Sequence, residues 1–189
     1  MLLAVTQLSA GRGGRPVVAS LTLEVGPGEA LVVTGANGAG KSTLLRTLAG
    51  LLPPLAGTIR FPGGETGDAF HYLGHRNALK PTRTVAAELG FWGRFAGEGG
   101  LRVAEALERV GLPGVEDVPC GALSAGQARR VAAARLLLAP RPLWILDEPT
   151  AALDADAQAR FAALCREHQA GATPGEGMRQ RRHAVASVS

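Results

Sequence analysis

Runs of β-forming residues alternate with helix-period runs from end to end of this chain. Leu2 to Leu8 and Val17 to Val25 read as strands, separated by a glycine- and arginine-rich turn at Gly11 to Arg15. Such a pair predicts an antiparallel β layer at the N-terminus. Glu29 to Thr34 (EALVVT) is a further short β-rich run. Ser42 to Gly50 (STLLRTLAG) then carries an apolar face at helical spacing and ends on a glycine. After the Pro53-Pro54 break, Gly57 to Phe61 adds a strand, and another is expected near Tyr72 and Leu73. Thr84 to Ala96 and Leu101 to Val110 read as helices closed by Gly97 and Gly111, forming a small helical subdomain at about residues 82–125. Ala125 to Ala139 is helical, with Val131, Ala134, Leu137 and Leu138 on its apolar positions. Leu143 to Leu146 is an unbroken apolar run after Pro140 and Pro142, suited to a parallel strand buried on both faces. The pattern as a whole is α/β.

Composition narrows this only slightly. At 189 residues, with 46% hydrophobic and 19% charged residues, the chain is long enough for one compact domain and too apolar for disorder. The net charge of +4 and pI near 9.8 would suit nucleic acid. However, half that excess comes from Arg179, Arg181 and Arg182 less Glu176, and no basic stripe with interleaved aromatics occurs, so no nucleic-acid partner is expected. Cys120 and Cys165 show no metal or redox spacing and are expected as free thiols in a reducing compartment. His71 and His75 lie at neither haem-attachment nor zinc spacing, so no direct haem binding is expected. Neither a basic n-region with an apolar h-region nor an apolar stretch of about 18 residues is present. A membrane role therefore needs a partner.

Chemistry enters with Gly35 to Thr43 (GANGAGKST), which fits G-x-x-x-x-G-K-[ST] between a strand and a helix. A triphosphate needs many donors on a tight radius, so the backbone N–H groups of Gly35, Ala36, Asn37, Gly38, Ala39 and Gly40 must turn inward. Glycines permit the positive φ values this requires. The helix beginning near Lys41 adds its free N–H groups and the positive end of its dipole. Lys41 is suited to bridge the β and γ phosphates, and the Ser42 hydroxyl to ligate Mg²⁺. Lys41 and Lys80 are the only lysines among 20 basic residues, which makes a chance lysine at this slot improbable.

LWILDE (Leu143 to Glu148) supplies the rest of the site. Asp147 closes the apolar strand and is expected to hold Mg²⁺, directly or through water. Glu148 follows at once, placed to accept a proton from water attacking the γ phosphate. Between the two motifs, LSAGQ (Leu123 to Gln127) sets Ser124 as an N-cap-type residue, and Gly126 leaves backbone open for an anion.

The Walker A run (Gly35 to Thr43), LSAGQ, the Walker B run LWILDE and AALD (Ala151 to Asp154) stand in an order that resembles the ATP-binding subunits of ABC transporters. The resemblance covers about residues 1–169. It implies a P-loop NTPase with a RecA-like parallel core, the N-terminal antiparallel β layer and the inserted helical subdomain. It also implies a head-to-tail dimer of two copies that sandwiches two ATPs, with Ser124 and Gly126 of one copy reaching the γ phosphate held by the other. Within the family, GANGAGKSTLLRTLAGLLPP, YLGHRNALKPTRTV, LSAGQARRVAAARL and LWILDEPTAALD are most similar to ATPases of the CcmAB complex of c-type cytochrome biogenesis. This implies an integral membrane partner of CcmB type, haem export or a related step, and a peripheral position on the cytoplasmic face of the bacterial inner membrane. The alternatives are a soluble ABC ATPase of repair or translation, and a binding-only subunit.

Three departures from the family pattern matter. The glutamine usual after the strand near Tyr72 is replaced by Gly74, His75, Arg76, and an arginine cannot ligate a metal. No aromatic precedes Phe61 to stack on adenine, which leaves Arg12 or Arg15 for that task. After a helix at about Ala155 to His168, the family has a buried strand ending in a histidine. Residues 171–189 (GATPGEGMRQRRHAVASVS) put their valines after His183 instead. The expectation is therefore an atypical, poorly ordered tail at 170–189, one central strand missing or poorly formed, and hydrolysis weakened more than binding. The cluster Phe91, Trp92, Phe95 reads either as local core or as a groove for a helix of the membrane subunit.

Overall fold

A computed structural model of the chain describes residues 1–62, 69–97, 99–171 and 184–188. Its α/β chain forms two compact units. The first comprises Met1–Tyr72, Arg141–Glu148 and Arg182–Ser189; the second comprises Leu73–Pro140 and Pro149–Arg181. The expected helical subdomain, 82–125, falls inside the second unit, whose limits are wider.

The first unit begins with the expected hairpin, β1 (Leu3–Arg12) against β2 (Arg15–Val25). Only Gly13 and Gly14 separate the paired Arg12 and Arg15, and both have positive φ, at 55° and 75°. A two-residue hairpin that follows the strand twist needs such values. β4 (Ala56–Arg60) pairs antiparallel with the other edge of β1, giving the order β2-β1-β4.

The second sheet of this unit has the order β3-β7-β6-β5, from β3 (Ala30–Val33), β5 (Phe70–Leu73), β6 (Leu143–Asp147) and β7 (Ala184–Val188). All five β6 residues are buried, as its unbroken apolar run requires. Full burial of each of Leu143, Ile145 and Leu146 contributes roughly 1.5–3 kcal/mol. Helix α1 (Lys41–Leu48) turns Leu44, Leu45 and Leu48 into the core shared with Leu3, Val5, Leu8, Leu143 and Ile145.

β7 corrects the expectation of a missing central strand. Ala184–Val188 lies parallel between β3 and β6, with Val185 opposite both Ala30 and Trp144. The sequence signal was weak because the segment is five residues of alanine, valine and serine. Such a segment has little β propensity of its own and takes it from two flanking ladders. The rest of the expected atypical tail, residues 172–183 and 189, lies outside the described residues. Val188 aligns with Asp147 at the end of β7.

The second unit holds α2 (Val85–Ala96), α3 (Val103–Arg109), α4 (Ala125–Ala134) and α5 (Ala155–Gln169). Thr84 caps α2 by accepting the Ala87 N–H at 3.2 Å, and Asp154 caps α5 by accepting that of Ala157 at 2.8 Å. The helix expected to run to Ala139 tightens at Arg135–Leu137 into a 3₁₀ turn. Pro140 stands just beyond, and a residue preceding proline is disfavoured in α geometry. Glu88, buried on α2, is satisfied by the Trp92 indole N–H at 3.0 Å and by Arg83 at 3.3 Å. Arg109 on α3 forms an ion pair with Glu167 on α5.

Candidate functional site

The glycine loop between β3 and α1 is shaped by close approach. Gly40, at φ 98°, N-caps α1, and a Cβ built there would lie 2.4 Å from Val17 Cγ2. Only glycine lets β2 pack on the loop at this point. Gly38 has φ 82°, with open space where a side chain would stand, so its need for glycine is conformational. The Ala39 N–H donates to the Ala36 carbonyl at 3.1 Å and tightens the loop. Lys41 Nζ reaches back to donate to the Gly35 carbonyl at 2.7 Å, spanning the loop it follows. Thr43 is buried one position past Ser42, and its carbonyl accepts the Thr47 hydroxyl.

Helix α1 and strand β6 bring the two motifs together. The Ser42 hydroxyl donates to Asp147 Oδ1 at 2.7 Å, and the Tyr72 hydroxyl donates to Asp147 Oδ2 at 3.3 Å. Asp147 is fully buried at the end of β6. Burial pushes the Tyr72 phenol above its ordinary value; the Asp147 carboxylate adds to the rise, while Arg46 opposes it. Tyr72 therefore stays protonated and donating at neutral pH.

Tyr72 is a residue that sequence reasoning missed. It is the chain's one tyrosine, at the end of an expected strand, but its partner lies 75 positions away.

Arg12, Arg15, Val17, Asn37, Gly38, Gly40, Lys41, Ser42, Thr43 and Glu148 line one open cavity of about 480 Å³. Pockets that take small ligands run from about 300 to 1,000 Å³. Arg12 and Arg15 stand opposite one another across the hairpin turn, and both line the cavity. Glu148 stands on the same cavity with a positive φ of 49°. The Ser42 hydroxyl and Asp147 carboxylate form a hard-oxygen donor pair that suits Mg²⁺. Among the described residues no group of three or more His, Cys, Asp or Glu could hold a metal ion.

Ser124 and Gly126 belong to the second unit and are not among the residues lining that cavity. Ser124 caps α4 in a reciprocal box. Its hydroxyl accepts the Gln127 N–H at 3.2 Å, and Gln127 Oε1 accepts the Ser124 N–H at 2.9 Å. A Cβ on Gly126 would sit 2.9 Å from the Ala152 carbonyl, so that position closes against backbone.

A family model described as ABC transporter matches residues 18–151. The chain is 51% identical over 172 residues to the cytochrome c biogenesis ATP-binding export protein CcmA of Brucella abortus (strain 2308), covering 89% of this chain and 80% of that protein. It is 52% identical over 178 residues to the protein of the same description from Rhizobium johnstonii, covering 89% and 83%. Among solved structures, a putative ABC transporter ATP-binding protein from Pyrococcus furiosus superposes with a TM-score of 0.80 at 25% identity, covering 100% of this chain and 92% of that one. A dimeric ATP-binding cassette in a post-hydrolysis state with ADP and Pi superposes at 0.81 with 20% identity, covering 100% and 88%, and so shares the fold.

Proposed function

We propose a function from the premise that this chain belongs to the ABC transporter family: it is the ATP-hydrolysing subunit of a membrane complex that serves c-type cytochrome biogenesis. The observation that carries the reading is the Ser42–Asp147 hydrogen bond of 2.7 Å beside Lys41 and Glu148. Phosphate loop and carboxylates meet at one place.

The chemistry follows from those positions. The backbone of Gly35–Gly40 and the N-terminus of α1 hold the β and γ phosphates, and Lys41 exchanges the Gly35 carbonyl for them. Ser42 and Asp147 would hold Mg²⁺, which would supply positive charge against the charge developing on the phosphates. Tyr72 fixes the Asp147 carboxylate through its second oxygen. Glu148 accepts a proton from the attacking water as its oxygen bonds to the γ phosphorus. The bond from that phosphorus to the ADP oxygen breaks, leaving ADP and Pi. Arg12 or Arg15, both of which line the cavity, lays its guanidinium plane on the adenine in place of an aromatic ring.

Two partners complete the machine. A second copy in head-to-tail arrangement brings Ser124 and Gly126 to the γ phosphate, and ATP binding closes that dimer. A CcmB-like integral subunit supplies the membrane passage. Among the described residues no helix is long and apolar enough to cross a membrane. Attachment at the cytoplasmic face of the inner membrane therefore runs through the partner. The aromatic cluster on α2 suits that contact, since Phe95 is 75% and Phe91 39% exposed, with Phe91 stacked on Phe95 at 6.2 Å.

The binding-only alternative rested on a missing central strand and a missing catalytic histidine, and β7 supplies the strand. Co-purification with the integral subunit, followed by ATPase measurement of the complex, tests the assignment. A chain that hydrolyses ATP but never retains a membrane subunit would favour a soluble ATPase.

A further inference from the structure

Arg129 is buried on α4 with 2% of its surface exposed, and its guanidinium binds two separate stretches of backbone. Nε donates to the Pro149 carbonyl at 3.1 Å; Nη1 donates to the Gly74 carbonyl at 2.7 Å and to Asn77 Oδ1 at 3.2 Å. All four residues lie within the second unit. A buried charge is costly to keep, and a planar fork of donors fixes the angle between its acceptors as no lysine can.

The two stretches it joins are unusual. Pro149 follows Glu148, which holds φ 49°, and Ala152 holds φ 63°. A non-glycine residue at positive φ is strained, more so before proline, and persists only where its surroundings over-determine it. Gly126 and Arg129 are three positions apart on α4 and so share a face. Gly126 closes on the Ala152 carbonyl while Arg129 holds that of Pro149. One helix face therefore grips both ends of the turn that follows Glu148. The same guanidinium pins Gly74 and Asn77, where His75 and Arg76 stand in place of a glutamine, and Ala78 just beyond has φ 51°.

We propose that Arg129 is a positioning residue for ATP hydrolysis: through α4 it fixes the turn after Glu148 and the 74–77 segment in one arrangement. The inference rests on the reading of the chain as an ATPase. Its distinctive prediction is a loss of turnover without loss of nucleotide binding, because none of its partners lines the cavity.

The test compares the full-length parent with Arg129→Gln and Arg129→Lys. Arg109→Gln, which removes the Glu167 ion pair in the same unit, serves as the charge-matched control. Arg129→Gln lowers kcat about tenfold or more while the Mg·ATP dissociation constant stays within about twofold, and Arg129→Lys falls between. Amide hydrogen exchange rises in peptides covering 74–78 and 149–153 in Arg129→Gln and not in Arg109→Gln. Unchanged kcat and exchange overturn the proposal. So does exchange rising throughout the unit, with kcat and binding falling together, which is the mark of a merely structural arginine. A parent that binds no Mg·ATP overturns the proposed function instead, and the exchange pattern then still decides whether Arg129 pins the two stretches.

Discussion

Ser42 and Asp147 stand 105 positions apart and share a hydrogen bond of 2.7 Å. Both are hard-oxygen groups at element ends, one on the first turn of α1 and the other on the last residue of β6. That meeting brings two separate motifs to one place and supports the proposed metal–phosphate site. It predicts that Ser42→Ala and Asp147→Asn act on the same metal. Each should raise the Mg²⁺ concentration needed for half-maximal ATPase by about tenfold or more, and the double variant by less than the product of the two. Titration of Mg²⁺ at fixed ATP measures this.

Tyr72→Phe removes one donor from a fully buried carboxylate. Leaving that oxygen without the phenol costs about 1–3 kcal/mol, to be read as a lower midpoint in urea unfolding. Added Mg·ATP should recover part of the loss, since a bound metal would hold the carboxylate in place of the phenol. Equal loss with and without Mg·ATP would place Tyr72 outside the metal site.

Arg12→Ala with Arg15→Ala should weaken Mg·ATP about tenfold or more while leaving Mg·tripolyphosphate nearly unaffected. A guanidinium on an aromatic face contributes about 0.5–2 kcal/mol each, and tripolyphosphate has no base to stack. Calorimetry with both ligands separates stacking from simple charge attraction, under which both ligands weaken together.

The α/β class and several positions of the candidate site were legible in the sequence. Gly40, Lys41 and Asp147 were legible because local rules dictate them: a turn needs positive φ, a phosphate needs a cation, a metal needs a hard oxygen at a strand end. Tyr72, Arg129 and β7 were not, since each is defined by partners far along the chain. Tyr72 lies 75 positions from Asp147, and Arg129 lies 55 from Gly74. β7 is recognised by two neighbouring strands rather than by its own alanines. A search for an apolar run leading to a histidine was the wrong template for Ala184–Val188. The 3₁₀ turn at Arg135–Leu137 was likewise hidden, because its apolar positions continue the period of α4.

Cys165 predicts a pH dependence. Burial pushes its thiol from an ordinary value of 9.0 up to about 12, with Arg166 opposing. A pKa raised by folding stabilises the native state fully below 9, and that contribution is lost as pH climbs towards 12. The thermal midpoint should fall across that window, and less steeply in Cys165→Ser. At pH 8 the native thiol should alkylate far more slowly than in the unfolded chain.

The central claim concerns Glu148, and the measurement nearest to it pairs Mg·ATP calorimetry with steady-state turnover for the parent and Glu148→Gln. Loss of a general base costs about 10²–10⁴ in rate. The account predicts a kcat lower by that factor with Mg·ATP bound at least as tightly as by the parent. A Glu148→Gln chain that turns over ATP at the parent's rate, or a parent that takes up no Mg·ATP, would contradict it.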